Sequence, residues 1–519
     1  MLEAQLEPGA QTLDRAQAAL LWQHRSGAHM VTRRSRFIPL LLPALLSACA
    51  SAPPREPRAA PELVETATPA TLPKPLSDAT LGRWVDHYVS GFGAEWGEAF
   101  KPRGYLIVAR HGVPFVERSY GPARPTRNTV FHVGSLSKQF TAVGVLRLHE
   151  AGKLSLDASV REFLSELPEA FQPVTINHLL HHTAGVPDYT AAPQLEAMAR
   201  WHTNAEEILK LFVHQPLAFP PGTKYAYSNS NYFLLGLVLW RITDNFFATE
   251  ELVLNPAGMT SSSLASGPED QAVGHTVNER GVIEPADPDH YSVSFAAGAL
   301  QTSAADLLKW DRALAAGALL SPESERIRTT PALEKYACGV LIDSFQGTRY
   351  ELHSGAIGGF DADLVRVPER DLIVAFLGNN DHFDSSRITR KVLRMILTEK
   401  PEEPIKERPV AEFDRAAAGN LTGNYQLTEA SRKALKGKLP EPLLEGVSHA
   451  EINLSDDSLR VTYGGKRAIH VFPAEEANTY FTKGSGIELG FSHGGFVFHQ
   501  AGFELVYVPA ARSPSADPR

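Results

Sequence analysis

Cysteine is scarce in this chain. Its 519 residues include only Cys49 and Cys338, too few for a disulfide framework, so packing must carry the fold. An excess of positive charge is also missing. The formal net charge is −9, and no Lys/Arg stripe with interleaved aromatics occurs, which excludes nucleic acid as an expected partner. The apolar runs at 37–46 and 232–242 are each shorter than a bilayer crossing requires. What the chain does have is 43% hydrophobic residues, over a length that suits two folded units.

The first 49 residues read as an export region. From Met30 the text is "MVTRRSRFIPLLLPALLSACA", in which Arg33, Arg34 and Arg36 precede an apolar stretch, then Ser47, Ala48 and Cys49. That is the layout of a secretory signal. "LSAC" resembles a bacterial lipobox, whose cysteine is lipidated and becomes the mature N-terminus; an ordinary signal peptide cleaved nearby is the alternative. Residues before Met30 lack any export logic, so translation can start there. The layout predicts a protein on the periplasmic side of the cell envelope, anchored to a membrane by lipid on Cys49. Residues 50–79 are rich in proline and alanine and read as an extended tether.

A folded domain is expected over 80–400. "GYLIVARHGVPFVERSYG" (104–121) holds two β-rich runs around a hairpin signal. A mainly helical stretch follows, with Asn204 placed to cap "AEEILKLFVHQ" and an all-round apolar run at 232–242 that suits a buried helix. β-rich segments return at "ACGVLIDSF", "TRYELHSG", "FDADLVRVP" and "DLIVAFLGN". Strands at both ends with helices between predict an α+β (α/β sandwich) plan, in which N- and C-terminal strands share an antiparallel sheet flanked by helices and a helical subdomain. The charged, Pro-rich text at 401–411 reads as a linker. From 412 to 510 the apolar period becomes two, as in Leu459/Val461/Tyr463 and Phe503/Leu505/Tyr507, which predicts a small antiparallel β-barrel-like domain. Residues 511–519 read as a disordered tail.

Three short stretches carry candidate chemistry. "GSLSKQF" holds Ser135 and Lys138 three positions apart, neighbours on one helix face if the helix opens there. Ser137 is adjacent to the lysine in sequence and points elsewhere. A buried Lys138 near neutrality could take the proton of Ser135, since free lysine titrates near ~10.4 and burial lowers that value. Alternatively, a charged Lys138 could depress a tyrosine that then acts as base. "FPPGTKYAYSNSNYFLLG" sets Tyr227 and Asn229 in a turn before a buried helix. "YELHSGAIGGFDADL" puts His353, Ser354 and Gly355 at the end of a β-run, with glycines where backbone can approach a ligand. Asp361 and Asp363 beyond them read as a polar strand face. His178, His181 and His182 in "HLLHH" have helical spacing, but no HExxH or cysteine pair supports a metal site, and no cofactor is implied.

In the order Ser-x-x-Lys, Tyr-x-Asn, His-x-Gly, these stretches resemble the serine β-lactamase and penicillin-binding-protein family, in its branch of class C β-lactamases, D-Ala-D-Ala carboxypeptidases and esterases. "TINHLLHHTAGVPDY", "AAGALQTSAADLLKW" and "LNPAGMTSSSL" add to the resemblance. It implies that Ser135 is acylated, that Lys138 accepts its proton and that Tyr227 is base or proton shuttle. Asn229 would donate to the substrate amide, with His353, Ser354 and Gly355 lining the substrate site. The backbone N–H groups of Ser135 and Ala356 would form the oxyanion hole. The implied activity is hydrolysis of a D-Ala-D-Ala-type peptide, a β-lactam or a small ester; a module that binds or senses peptidoglycan peptides without turnover is the other reading. The oligomeric state is left open. β-Lactamases of the family usually carry lysine where this chain has His353, which favours a peptidase or esterase. With a histidine near its ordinary value there, turnover of carboxylate-bearing substrates is expected to improve as pH falls toward ~6. The C-terminal region resembles the lipocalin-like appendage of some members, with "LTGNYQL" as its first strand.

Overall fold

The computed structural model describes residues 77–91, 101–265, 270–277, 282–286, 289–402, 409–435, 441–463, 467–482, 487–492, 494–500 and 503–510. Cys49, the export region, nearly all of the tether, residues 403–408 of the linker and the tail 511–519 lie outside them. The described residues form two compact units, one from within 103–393 and the other from within 394–510 together with the helix Asp78–Gly91.

In the first unit, β1 (Gly104–Arg110) and β2 (Val113–Tyr120) form the expected hairpin. Its two turn residues, His111 at φ 52° and Gly112 at φ 73°, adopt the left-handed values that match strand twist. Short strands follow at β3 (Val130–His132), β4 (His275–Val277), β5 (Ile283–Pro285) and β6 (Gln301–Ser303). The C-terminal part supplies β7 (Leu341–Phe345), β8 (Thr348–Ile357), β9 (Phe360–Val367) and β10 (Leu372–Gly378). The main sheet runs β2-β1-β10-β9-β8-β7, antiparallel throughout. N- and C-terminal strands meet where β1 pairs β10, with Ile107 opposite Ala375.

The helix Ser137–Glu150 is the pivot of this unit, buried from Ser137 through Leu146. Phe140, Val143 and Leu146 join the core beside the sheet, with Ile107, Trp310 and Leu377. Ala142 and Val145 join a second core made by the helical segments, with Leu179, Tyr232 and Val238. With both flanks covered, even the polar side chains of its first turns are buried, Ser137, Lys138, Gln139 and Thr141 among them. Its first turn therefore opens where sheet and helical subdomain meet. The helix Asn229–Thr243 is buried from Ser230 to Leu239, and Asn204 caps Ala205–Lys210 in a capping box with Glu207.

The second unit holds a closed barrel of eight antiparallel strands, from β11 (Gly423–Leu427) to β18 (Phe503–Pro509). Closure comes from β18 returning to β11, with Gln426 opposite Val508. The period-two residues point inward: Ile452, Leu459, Val461, Leu489, Phe496, Phe498, Leu505 and Tyr507 form one core.

Candidate active site

Ser135 sits in a 3-10 turn, Gly134–Leu136, between β3 and the helix Ser137–Glu150. Residues three apart eclipse in such a turn, which stacks Lys138 over Ser135. Two glycines press this turn against β8. Gly134 has φ 49°, and a Cβ there would lie 2.9 Å from Ala356 N; a Cβ on Gly355 would lie 2.7 Å from Ser135 N. β7 pairs with β8 only as far as Leu352, so the edge of residues 353–357 is open to the Ser135 turn. The amides of Ser135 and Ala356 are thus neighbours. Ser137 is occupied elsewhere: its Oγ donates to Gly134 O at 2.6 Å and accepts from Leu300 N at 2.9 Å.

Lys138 is fully buried, while Ser135, Tyr227 and Asn229 remain partly exposed above it. Its Nζ lies 3.0 Å from Ser135 Oγ, 2.8 Å from Asn229 Oδ1 and 2.7 Å from Ala297 O. Burial pushes its pKa down to about 7, against the opposing pull of the Asp188 carboxylate. A neutral amine has two N–H donors and one lone pair. The two carbonyl oxygens take the donors, and the lone pair is left for the Ser135 hydroxyl. Tyr227 OH donates to Ser135 Oγ at 2.9 Å. Burial raises the Tyr227 phenol well above its ordinary value, so it stays protonated. Of the two proton routes open in the sequence, this environment suits the lysine as acceptor and disfavours a tyrosinate.

A backbone kink serves the same group. Phe295 adopts φ 38° and ψ −132° inside the helix Tyr291–Gly298, a conformation that costs a side-chain-bearing residue about 1–3 kcal/mol. Beyond it, Ala296 O accepts from Thr141 Oγ1 at 2.8 Å and Ala297 O from Lys138.

His353 is buried at the start of the open edge of β8. Its Nδ1 donates to Ser354 O at 2.6 Å, which leaves Nε2 to accept from Tyr336 OH at 3.1 Å. Burial, reinforced by the charge of Lys138, lowers its pKa to about 3. The expectation that it charges as pH falls toward ~6 is therefore corrected: buried imidazole without an anion stays neutral. Gly355 admits the Ser135 turn. Ser354 is not gathered into the hydroxyl–amine cluster, because its Oγ donates to Asp363 Oδ1 at 2.6 Å. Asp361 and Asp363 do not form a polar strand face either. Asp361 accepts from Ser385 N at 2.7 Å, and Asp363 is buried and paired with Arg390 at 3.1 Å.

The three histidines of "HLLHH" have structural partners. His178 completes the capping box of Ile176–Leu180 with Thr175. His181 lies between Asn177 O and Thr330 O. His182 Nδ1 accepts from Ser228 N at 3.2 Å and Asn231 Nδ2 at 2.9 Å, and its ring lies 4.3 Å from that of Tyr227, steadying the tyrosine loop. Three residues at the site were not singled out from the sequence: His182 in this packing role, Tyr336 and Asp188. Only Asp188 left a signal, as the lone carboxylate in the apolar text "AGVPDY".

Several known proteins are similar to this chain. Penicillin-binding protein 4* of Bacillus subtilis is 25% identical over 453 residues, 79% of this chain and 95% of that protein. A D-aminopeptidase of Cereibacter sphaeroides is 28% identical over 304 residues, 54% of this chain and 57% of that one. Among solved structures, the octameric penicillin-binding protein homologue from Pyrococcus abyssi superposes with a TM-score of 0.57 at 22% identity, covering 82% of this chain and 99% of that one. The D-amino acid amidase from Ochrobactrum anthropi gives 0.54 at 20% identity, over 62% and 99%. At such identities these two likenesses concern the fold. The Beta-lactamase family model matches residues 92–398, more than half of the 519-residue chain, and the chain belongs to that family of serine hydrolases.

Proposed function

We propose that the chain hydrolyses an amide or ester bond through an acyl-enzyme on Ser135. Neutral Lys138 takes the Ser135 proton as Oγ attacks the carbonyl carbon. The amides of Ser135 and Ala356 receive the developing oxyanion. Tyr227 gives its phenol proton to the departing amine or alcohol and is reprotonated by Lys138, and the acyl group stays on Oγ. Water then attacks the ester, Lys138 takes its proton and passes it to Oγ as the C–O bond breaks, and Ser135 is restored as the acid leaves. Asn229 Nδ2 directs one N–H at Asp188, and the other, whose contact to Thr190 Oγ1 is a long 3.4 Å, is available to a substrate amide. The observation that carries this reading is a fully buried amine 3.0 Å from a partly exposed hydroxyl.

Relatives named D-aminopeptidase, D-amino acid amidase and penicillin-binding protein support peptides, amides or esters of D-amino acids as the substrate class. His353 supplies no positive charge for a substrate carboxylate, which weighs against β-lactam hydrolysis. The same reading takes 80–400 as the hydrolase domain, 412–510 as its appended barrel, and Cys49 as a lipid anchor holding both at the envelope; radiolabelled palmitate incorporated by wild type and lost in Cys49→Ala would test the anchor. For the chemistry, wild type and Ser135→Ala are compared on a p-nitrophenyl ester, a D-amino-acid amide and a fluorescent penicillin. Ester or amide turnover lost in the variant is the expected result. Label without turnover would instead support the sensing reading, and turnover that survives Ser135→Ala would overturn both.

A further inference from the structure

Asp188 has no part in the steps above, yet it lies directly behind them. Its partly buried carboxylate receives three N–H groups. Oδ1 accepts from Thr190 N at 3.1 Å and Asn229 N at 3.2 Å, and Oδ2 accepts from Asn229 Nδ2 at 3.1 Å. On the far side of the same amide, Asn229 Oδ1 meets Lys138 Nζ at 2.8 Å. An asparagine amide is nearly symmetric in shape, so its two ends are told apart only by what faces them. A carboxylate only accepts, so it draws Nδ2 and leaves Oδ1 for the amine. Turned over, the amide would aim an N–H at Lys138, competing with Ser135 for the amine's lone pair, and set oxygen against oxygen at Asp188.

We propose that Asp188 is a positioning residue for the Ser135 reaction: through Asn229 it fixes which end of the amide Lys138 meets, and so sets both the direction of the amine's lone pair and its basicity. The inference rests on the acyl-enzyme reading above. With Asn229 Oδ1 and Ala297 O holding the two N–H groups, the lone pair has one remaining direction, toward Ser135 Oγ. The carboxylate also acts through space. Burial lowers the Lys138 pKa and Asp188 opposes it, so without the anion the amine would be a weaker base. The other groups around Lys138 do not compete for this role. They are the hydroxyls of Ser135 and Tyr227, the rings of Tyr227 at 4.9 Å and Tyr232 at 5.8 Å, and the imidazoles of His182 and His353, which burial holds neutral. Around Asp188, the phenols of Tyr189 and Tyr227 are likewise kept protonated by burial.

The test is the pH dependence of kcat/KM for a p-nitrophenyl ester, with Ser135 acylation by a fluorophosphonate as a second readout. Activity needs the neutral amine, so the rate rises with pH through the Lys138 pKa, about 7 in wild type. In Asp188→Asn we expect the rate on the alkaline plateau to fall on the order of 10²-fold, and the acid limb to move about one pH unit lower. Asp188→Glu keeps the charge and displaces it, so its limb is expected to stay near that of wild type while the rate falls. A limb in Asp188→Asn that stays in place, with loss matched by lowered thermal stability, would overturn the proposal and leave a structural residue. Should Asp188→Asn fail to fold, Asp188→Glu decides alone: a limb moved to lower pH contradicts the proposal. Wild type without Ser135-dependent acylation is a separate result, because it removes the acyl-enzyme reading itself.

Discussion

In residues 103–393 the interior holds Lys138, Asp306, Asp311, Arg328, Glu351, Asp363 and Arg366, whereas the polar side chains buried among the described residues after 409 are all hydroxyls: Ser431, Ser448, Ser458, Thr462 and Thr482. Burying an ion costs several kcal/mol unless it is well paired, so the barrel is built by the cheaper route. In the hydrolase unit most of the ions are paired. Arg328 meets Glu351 at 2.6 Å, and Arg366 meets Asp311 at 2.8 Å and Glu351 at 3.2 Å. Lys138 differs from these, since its three hydrogen-bond partners are a hydroxyl, an amide oxygen and a backbone carbonyl. The contrast separates buried charge that holds structure from buried charge that is set up for proton transfer.

That separation can be broken by substitution. The largest effect is expected for Ser135→Ala, which should lower kcat/KM for an ester on the order of 10⁴-fold or more with the melting temperature retained. Lys138→Met should follow, with a loss of about 10³-fold, read in the same assay. Glu351→Ala would remove the carboxylate that Arg328 and Arg366 share, leaving them Glu325 and Asp311, and is expected to cost about 3 kcal/mol in denaturant unfolding. In the barrel, Phe496 stacks on Tyr507 with centroids 4.6 Å apart. Phe496→Ala should cost a similar ~3–5 kcal/mol and leave the pH profile of the ester reaction unmoved; a shifted profile would erase the distinction drawn here. Within the wild-type profile, the rate should rise tenfold per pH unit below about 7 and level off above it. The smallest effect sharpens the account of His353. With its pKa near 3, a carboxylate-bearing substrate and its neutral ester analogue should keep one rate ratio from pH ~5 to ~8, and a ratio that climbs toward acid would show a charged imidazole.

Legibility in the sequence followed distance along the chain. Ser135 and Lys138 are three residues apart, and helical geometry alone brings them together. Tyr227, Asn229 and His353 were readable because each stands in a short pattern beside a buried helix or strand. The barrel was readable because period two survives through most of its strands, although the pairing of β18 with β11 left no local trace. What could not be read was chemistry created by burial. The charge state of His353 depends on its enclosure and on Tyr336, which is 17 residues away. Asp188 acquires its place from Asn229, 41 residues further on. Asp361 and Asp363 read as solvent-facing because the helix Ser385–Thr398, whose residues cover them, follows later in the chain.

The bend at Phe295 has a consequence for how this molecule ages under heat. A glycine could hold that angle without strain, but Phe295 also stacks on Phe246 at 4.5 Å and packs against Phe233 at 5.6 Å. Those rings clamp the kink shut. Loosening them would let the peptide relax and swing the Ala297 oxygen off the amine without any strand of the sheet having to part. Gentle warming should therefore silence the molecule while its circular dichroism still looks native.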